Sequence, residues 1–246
     1  MPFREGNVCQ QDAEVLSELE EALGEKIPYI DESSYMEGPS MVGYVSMNKR
    51  VITLAINGRE GHNLDIVLNI IGNLMSLEQL FLMYNRLIDL PETFSKLSSL
   101  KLLELNGNSF KKLPTVITKL SSLEELYISN HKDLAIPKSI ENLKNLKKLV
   151  IGGNDYYSFP EAIMNLRSLE VLVLCFNKID EIPESIGKLS SLKVLNLEGN
   201  RIESFPDALA EMKSLKSLDI STEDTFVDQF PDVLKKLEKR GVRIRN

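Results

Sequence analysis

Two cysteines, two histidines and a scatter of carboxylates are the residues from which this chain could build a nucleophile, a base or a metal site. Cys175 would need a base within hydrogen-bond reach to act as a nucleophile. The histidine nearest to it in sequence is His131, 44 residues upstream. His62 has no cysteine beside it, and His131 with Asp133 supplies only two of the three or four converging ligands a metal requires. Glu124 and Glu125 are adjacent, so on a strand they face opposite ways. Gly152-Gly153 belongs to no phosphate-cradling motif and reads as turn glycine before Asn154. The residues therefore predict no catalytic set, no metal site and no cofactor, and an enzyme built on Cys175 is the weakest of the functional alternatives.

The composition removes other classes. The chain has 246 residues, 43 % hydrophobic and 26 % charged, which is ordinary for a globular fold. A net charge of -7 argues against a Lys/Arg-built nucleic-acid footprint. No apolar run is long enough to predict a membrane-spanning helix, and no apolar stretch after Arg4 suggests a signal peptide. Two cysteines are too few for a disulfide-stapled secreted fold, so a reducing, cytoplasmic setting is expected.

What organises the chain is repetition. Leu77, Leu100, Leu123, Leu146, Leu169, Leu192 and Leu215 are each 23 residues apart, giving seven units over 77–237. With that leucine as position 1, positions 4 and 6 are also Leu or Ile throughout. Position 9 is Asn85, Asn108, Asn154, Asn177 and Asn200, with His131 and Glu223 as substitutes. Position 15 is Pro91, Pro114, Pro137, Pro160, Pro183 and Pro206, followed by apolar residues at 18 and 21. Alternation at 4 and 6 predicts a short strand buried on one side. One such strand cannot bury its own apolar face, so units must stack into a parallel sheet with a shared core. The asparagine amides would form a ladder satisfying the turn backbone. The spacing of 18 and 21 suits one turn of α or 3₁₀ helix on the return. Two strand spacings then separate His131 from Cys175 by roughly 10 Å, beyond hydrogen-bond reach.

The pattern LxxLxLxxNxLxxLPxxIxxLxx resembles the leucine-rich repeat, in the 23-residue intracellular type of Ras-group scaffolds and related archaeal and bacterial proteins. The resemblance implies an α/β fold: a right-handed β/α superhelix, or solenoid, with a parallel concave sheet and capped ends. It also implies protein recognition, with a signalling protein or small GTPase as the kind of partner.

A solenoid exposes raw core at both ends. Residues 51–76 read as a degenerate first unit lacking Asn at position 9, where Arg59 stands, with three extra residues near Gly58–Asn63. Residues 1–50 read as an N-terminal cap rather than a separate partner-binding head. A helix is expected from Asp12, its capping residue, to Gly24, and a hairpin over Val42–Ile56 turning near Asn48-Lys49. The head has four basic and ten acidic residues, whereas 235–246 has six basic and one acidic. A helix from Pro231 to Arg240 and a strand near Val242 and Ile244 would close the other end, with the array running over 51–237 and its terminal cap over 238–246.

Function must sit at the positions that the repeat leaves open. Position 2 alternates Glu78, Lys101, Glu124, Lys147, Glu170 and Lys193, a ladder read as self-satisfying surface. At positions 5, 7 and 8 stand Phe81, Met83 and Tyr84 with Tyr127, and then Val150, Val173 and Phe176. Exposed apolar clusters on a rigid sheet mark interfaces, and aromatic residues are the commonest anchors. Glu104, Glu125 and Asp219 give the face an acidic cast. The expectation is a non-catalytic module whose concave face binds a protein with basic and apolar surface, and no nucleic acid, membrane or small molecule. The alternative is an adaptor delivering a target to an enzyme on a separate chain.

Overall fold

A computed structural model describes residues 8–30, 41–59, 64–221 and 231–246. The loop positions Glu60–Asn63, with His62, and the seventh-unit positions Thr222 and Glu223 lie outside the described residues. The chain forms two compact units: Met1–Phe110 with Pro114–Leu126, and Lys111–Leu113 with Tyr127–Asn246. Within each, the strands lie side by side in chain order.

In the first unit, α1 (Gln10–Leu23) buries Leu16, Leu19 and Leu23 on one face and ends at Gly24 in the left-handed conformation (φ 70°). Asp12 does not cap it. The helix begins two residues earlier, and Asp12 is buried in its first turn. There its carboxylate accepts the Val51 N–H at 2.7 Å and pairs with Arg50 at 3.1 Å, fastening the helix to the first strand of the array. A second buried carboxylate, Glu20, accepts the Ile27 N–H at 2.7 Å. The hairpin is β1 (Val42–Met47) and β2 (Arg50–Ile56), antiparallel. Asn48 (φ 49°) and Lys49 (φ 63°) turn it, the paired left-handed residues that match strand twist. The long spacing of the degenerate unit is taken up by a full helix, α2 (Leu64–Ile71), where later units have a single turn. It packs against α1.

The parallel strands follow: β3 (Gln79–Phe81), β4 (Leu102–Glu104) and β5 (Glu125–Tyr127), whose Tyr127 is counted with the second unit. Leu54, Leu80 and Leu103 are in register and wholly buried. Each such leucine contributes about 1.5–3 kcal/mol by leaving water. The second unit continues with β6 (Lys148–Val150), β7 (Val171–Val173), β8 (Val194–Asn196), β9 (Ser217–Asp219) and β10 (Arg243–Arg245), all parallel. The returns after each proline are one 3₁₀ turn of five residues, except α3 (Asp207–Glu211) and the closing α4 (Asp232–Lys239).

The asparagine ladder has the geometry that holds each loop to the one before. Asn108 Oδ1 accepts the N–H groups of Asn85 and Leu87, both at 3.0 Å. Its Nδ2 donates to the Leu82 and Leu105 carbonyls, both at 2.8 Å. Asn154, Asn177 and Asn200 repeat this in the second unit. The degenerate unit participates after all. Arg59 donates its N–H to Asn85 Oδ1, and buried Asn57 accepts from Met83 N at 2.9 Å. His131 donates its backbone N–H to Asn154 Oδ1, a bond that depends on the main chain and not on the imidazole.

Candidate functional site

The outward side chains of each strand and the first loop residues beyond it form the candidate surface. Position 8 is left-handed in both units: Tyr84 (φ 57°) and Gly107 (φ 69°) in the first, Phe176 (φ 53°) and Gly199 (φ 68°) in the second. Aromatic residues are rare there, and holding one costs on the order of 1 kcal/mol. Each ring lies over the glycine of the following loop. A Cβ on Gly107 would stand 2.4 Å from the Tyr84 ring, and one on Gly199 would stand 2.6 Å from the Phe176 ring. The glycines are therefore platforms, and the rings project as rigid ledges. Phe176 is 63 % exposed and Tyr84 45 %. The alternation of large residue and glycine down this column, from Gly58 to Gly199, was the available sequence signal for the platforms.

In the first unit the expected cluster divides. Phe81 and Met83 are each only 6 % exposed, which corrects the reading of both as open anchors. Phe81 belongs to a second, smaller core with Val45 and Ala55, against which Ile30, Met41, Ile52 and Leu102 pack. Val45 of the antiparallel strand, which extends the sheet beside β2, is part of this core. Tyr84 alone of the three stays open. Glu104 is buried, and its carboxylate accepts the Asn106 N–H at 2.9 Å. Glu125 is half-buried.

In the second unit Val150 and Val173 are direct neighbours on β6 and β7, both half-buried, and Phe176 stands three residues beyond Val173. Tyr127 carries the Lys148 ammonium 4.9 Å above its ring. Asp219 is not an open steering charge. It is buried, accepts from the Ser221 hydroxyl at 2.7 Å and backbone N–H at 3.1 Å, and pairs with Arg245 at 3.2 Å. Glu104, Asn196 and Asp219 share one task, accepting the N–H two residues on to fix the loop after the strand. The position-2 ladder closes on itself in each unit, Glu78 with Lys101 at 2.8 Å and Glu170 with Lys193 at 2.7 Å. The Lys193 hydrogen bond holds the Glu170 carboxyl below its ordinary value.

The chemistry weighed at Cys175 finds no support in its surroundings. Burial, and then the Glu198 carboxylate, push the thiol up from its ordinary value, away from a reactive thiolate. Among the described residues no group of three or more His, Cys, Asp or Glu could hold a metal, and no helix is long and apolar enough to cross a membrane.

A leucine-rich repeat region model matches residues 49–176, just over half of the chain, and a leucine-rich repeat model matches 167–224. No curated protein matches. Among solved structures, an internalin from Listeria monocytogenes is similar at 24 % identity over 79 % of this chain and 53 % of its own, with a TM-score of 0.62. The Arabidopsis receptor kinase HAESA, in complex with the peptide hormone IDA and the co-receptor SERK1, is similar at 20 % identity over 87 % and 46 %, with a TM-score of 0.56. The chain thus spans about half the length of each, and at these identities the likeness speaks to fold. Read with the 23-residue register, the stacked leucines and the asparagine ladder, the family match carries the assignment: this chain belongs to the leucine-rich-repeat family and folds as a leucine-rich-repeat solenoid.

Proposed function

We propose that the chain is a non-catalytic protein-recognition module that takes its partner on the sheet face of the second unit, with Phe176 as the anchor and Val173 and Val150 as its apolar floor. The observation that carries this is the Phe176 ring, 63 % exposed, fixed over Gly199 in a backbone conformation aromatic residues seldom adopt. Neither burial nor repeat stacking requires an aromatic there, since the alternate units use glycine. A ring held in place before binding loses little conformational entropy on contact, which favours affinity. Glu198, whose carbonyl accepts the Phe176 N–H at 2.7 Å, is half-buried beside it, so an apolar partner residue flanked by a basic one fits best. Tyr84 offers a second, smaller ledge on the first unit.

The finer reading places the protein among 23-residue Ras-group-like scaffolds acting in the cytoplasm, with a small GTPase or signalling enzyme as the partner class. It rests on the LPxxIxxLxx register and on two free cysteines, Cys9 and Cys175. The test is affinity capture from source-cell lysate with the wild-type chain and a Phe176→Ser/Val173→Ser variant whose fold is verified by circular dichroism. A protein kept by the wild type and lost by the variant supports the site. Equal retention of every captured protein rejects it.

A further inference from the structure

The strands of the second unit begin along an edge whose charge the repeat does not dictate. Position 22, just before each strand, is serine at Ser98, Ser121 and Ser190 but cationic at Lys144, Arg167 and Lys213, all three exposed. Position 2 adds Lys216, and Arg243 on β10 continues the row, while Lys193 before them is paired with Glu170. These strand starts are bonded in succession: Lys193 N–H to the Glu170 carbonyl, Lys216 N–H to Lys193, and Arg243 N–H to Lys216, at 2.8, 2.8 and 2.9 Å. Chains so placed are ~4.8 Å apart, well inside a screening length of ~8 Å, so their fields add. Glu170 and Glu141 interrupt the row, and both are engaged, by Lys193 at 2.7 Å and by the Asn165 amide at 2.9 Å. In the first unit the matching positions hold Ser98, Ser121, Glu78, Lys101 and Glu124, one cation against two carboxylates. A polycationic edge therefore stands on one unit of a chain with net charge -7.

The edge also has shape. Lys144 and Arg167 line one surface cavity of about 500 Å³ with Glu141, Asn165 and Ser168. The guanidinium and the ammonium set two positive charges at the recess against one carboxylate, Glu141, which the Asn165 amide engages, so the recess stays net positive and suits a small anionic group.

We infer that this cationic edge, centred on the Lys144–Arg167 recess, docks an acidic segment of a partner protein. Half-buried Val171 and Val194 are register partners on β7 and β8 at the strand starts and offer apolar contact for the side chains of such a segment. The named edge positions carry no aromatic residue on which a base could stack, which disfavours single-stranded nucleic acid. The surface differs from the Phe176 ledge, so the two readings stand or fall separately.

The test is fluorescence anisotropy of labelled poly-L-glutamate titrated with the full chain. Binding should weaken about tenfold or more between 0.05 and 0.3 M NaCl, as expected of contacts dominated by exposed charge. A Lys144→Glu/Arg167→Glu/Lys216→Glu variant should lose about tenfold or more at low salt, since charge reversal adds repulsion to the loss of attraction. Phe176→Ser should bind poly-L-glutamate as the wild type does. Should the reversal perturb the circular dichroism spectrum, the Gln variants at the same three positions replace it. Retention within twofold by the variants overturns the inference. So does tighter binding of oligo-dT than of poly-L-glutamate. Sedimentation in the absence of probe is the remaining arm: low-salt self-association that the variants abolish would assign the edge to the acidic head of a second copy and overturn the partner reading.

Discussion

Phe81 in the first unit and Val173 in the second occupy the same place in the repeat, the outward last residue of a three-residue strand. Phe81 is buried in the small core it forms with Val45 and Ala55, whereas Val173 is half-buried, three residues before exposed Phe176. The repeat pattern treats the two alike. What separates them is the end of the array: β1 extends the sheet beside β2, and its Val45, with Ile30 and Met41, helps build a second core that takes in Phe81. The same apolar residue type is thus a stability element at one end and a candidate contact at the other.

The largest expected effect breaks that comparison directly. Phe81→Ala should destabilise the protein by about 3 kcal/mol or more, the usual loss for a buried aromatic. Phe176→Ala should change stability by less than ~0.5 kcal/mol, as exposed substitutions do. Urea unfolding of the two variants decides it: equal midpoints would mean that the small core around Phe81 contributes nothing.

Next in size is the anchor that fastens α1 to β2. Asp12→Ala removes a buried acceptor from the Val51 N–H and a partner from Arg50. A charge-assisted bond of this kind is worth about 2 kcal/mol. Hydrogen exchange should accelerate in α1, β1 and β2 and stay unchanged in β6–β9. Uniform acceleration would show that the anchor serves the whole array instead of one end.

The aromatic ledges are where the two units agree, and Gly199→Ala and Gly107→Ala sharpen that likeness. Each methyl meets a ring at under 3 Å at a backbone angle suited to glycine, at a cost of about 1 kcal/mol or more. Each should also displace its ring, visible in the ring proton shifts of Phe176 or Tyr84. Unchanged shifts would mean that the glycines are not platforms.

The smallest effect concerns the position-2 ladder. Glu170 is held down by Lys193, so its protonation midpoint should fall below the ordinary 4.5. Because the folded value is depressed, the pair's contribution is present above the unfolded value and disappears as pH falls through the folded one. A carboxyl-carbon titration reads this, and Lys193→Met should raise the midpoint. No change on that substitution would remove Lys193 as the cause.

Much of the fold was legible because leucine, asparagine and proline recur at one period, and each type has one physical task there. The left-handed turn at Asn48-Lys49, the glycine end of α1 and the closing helix after Pro231 could likewise be placed from local signals. Asp12 could not. A carboxylate near a helix start suggests a cap, and only the approach of Val51, far along the chain, gives it another partner. Asn57 escaped notice for a related reason, since it serves the ladder two residues before the expected position. At the candidate site, Phe176 and Val173 stand out by residue type and are accessible, whereas Glu104 and Asp219 are buried and bond their own loops.

The amino-acid order by itself determined the repeat length, the stacked strands, the buried leucines and the outward columns, because strand alternation and turn chemistry act over a few residues. Only the tertiary structure decided which outward positions stay open, which carboxylates are already engaged and where cations from successive units form one edge. Exposure and field depend on which distant residues are neighbours, and no residue type or spacing specifies that alone.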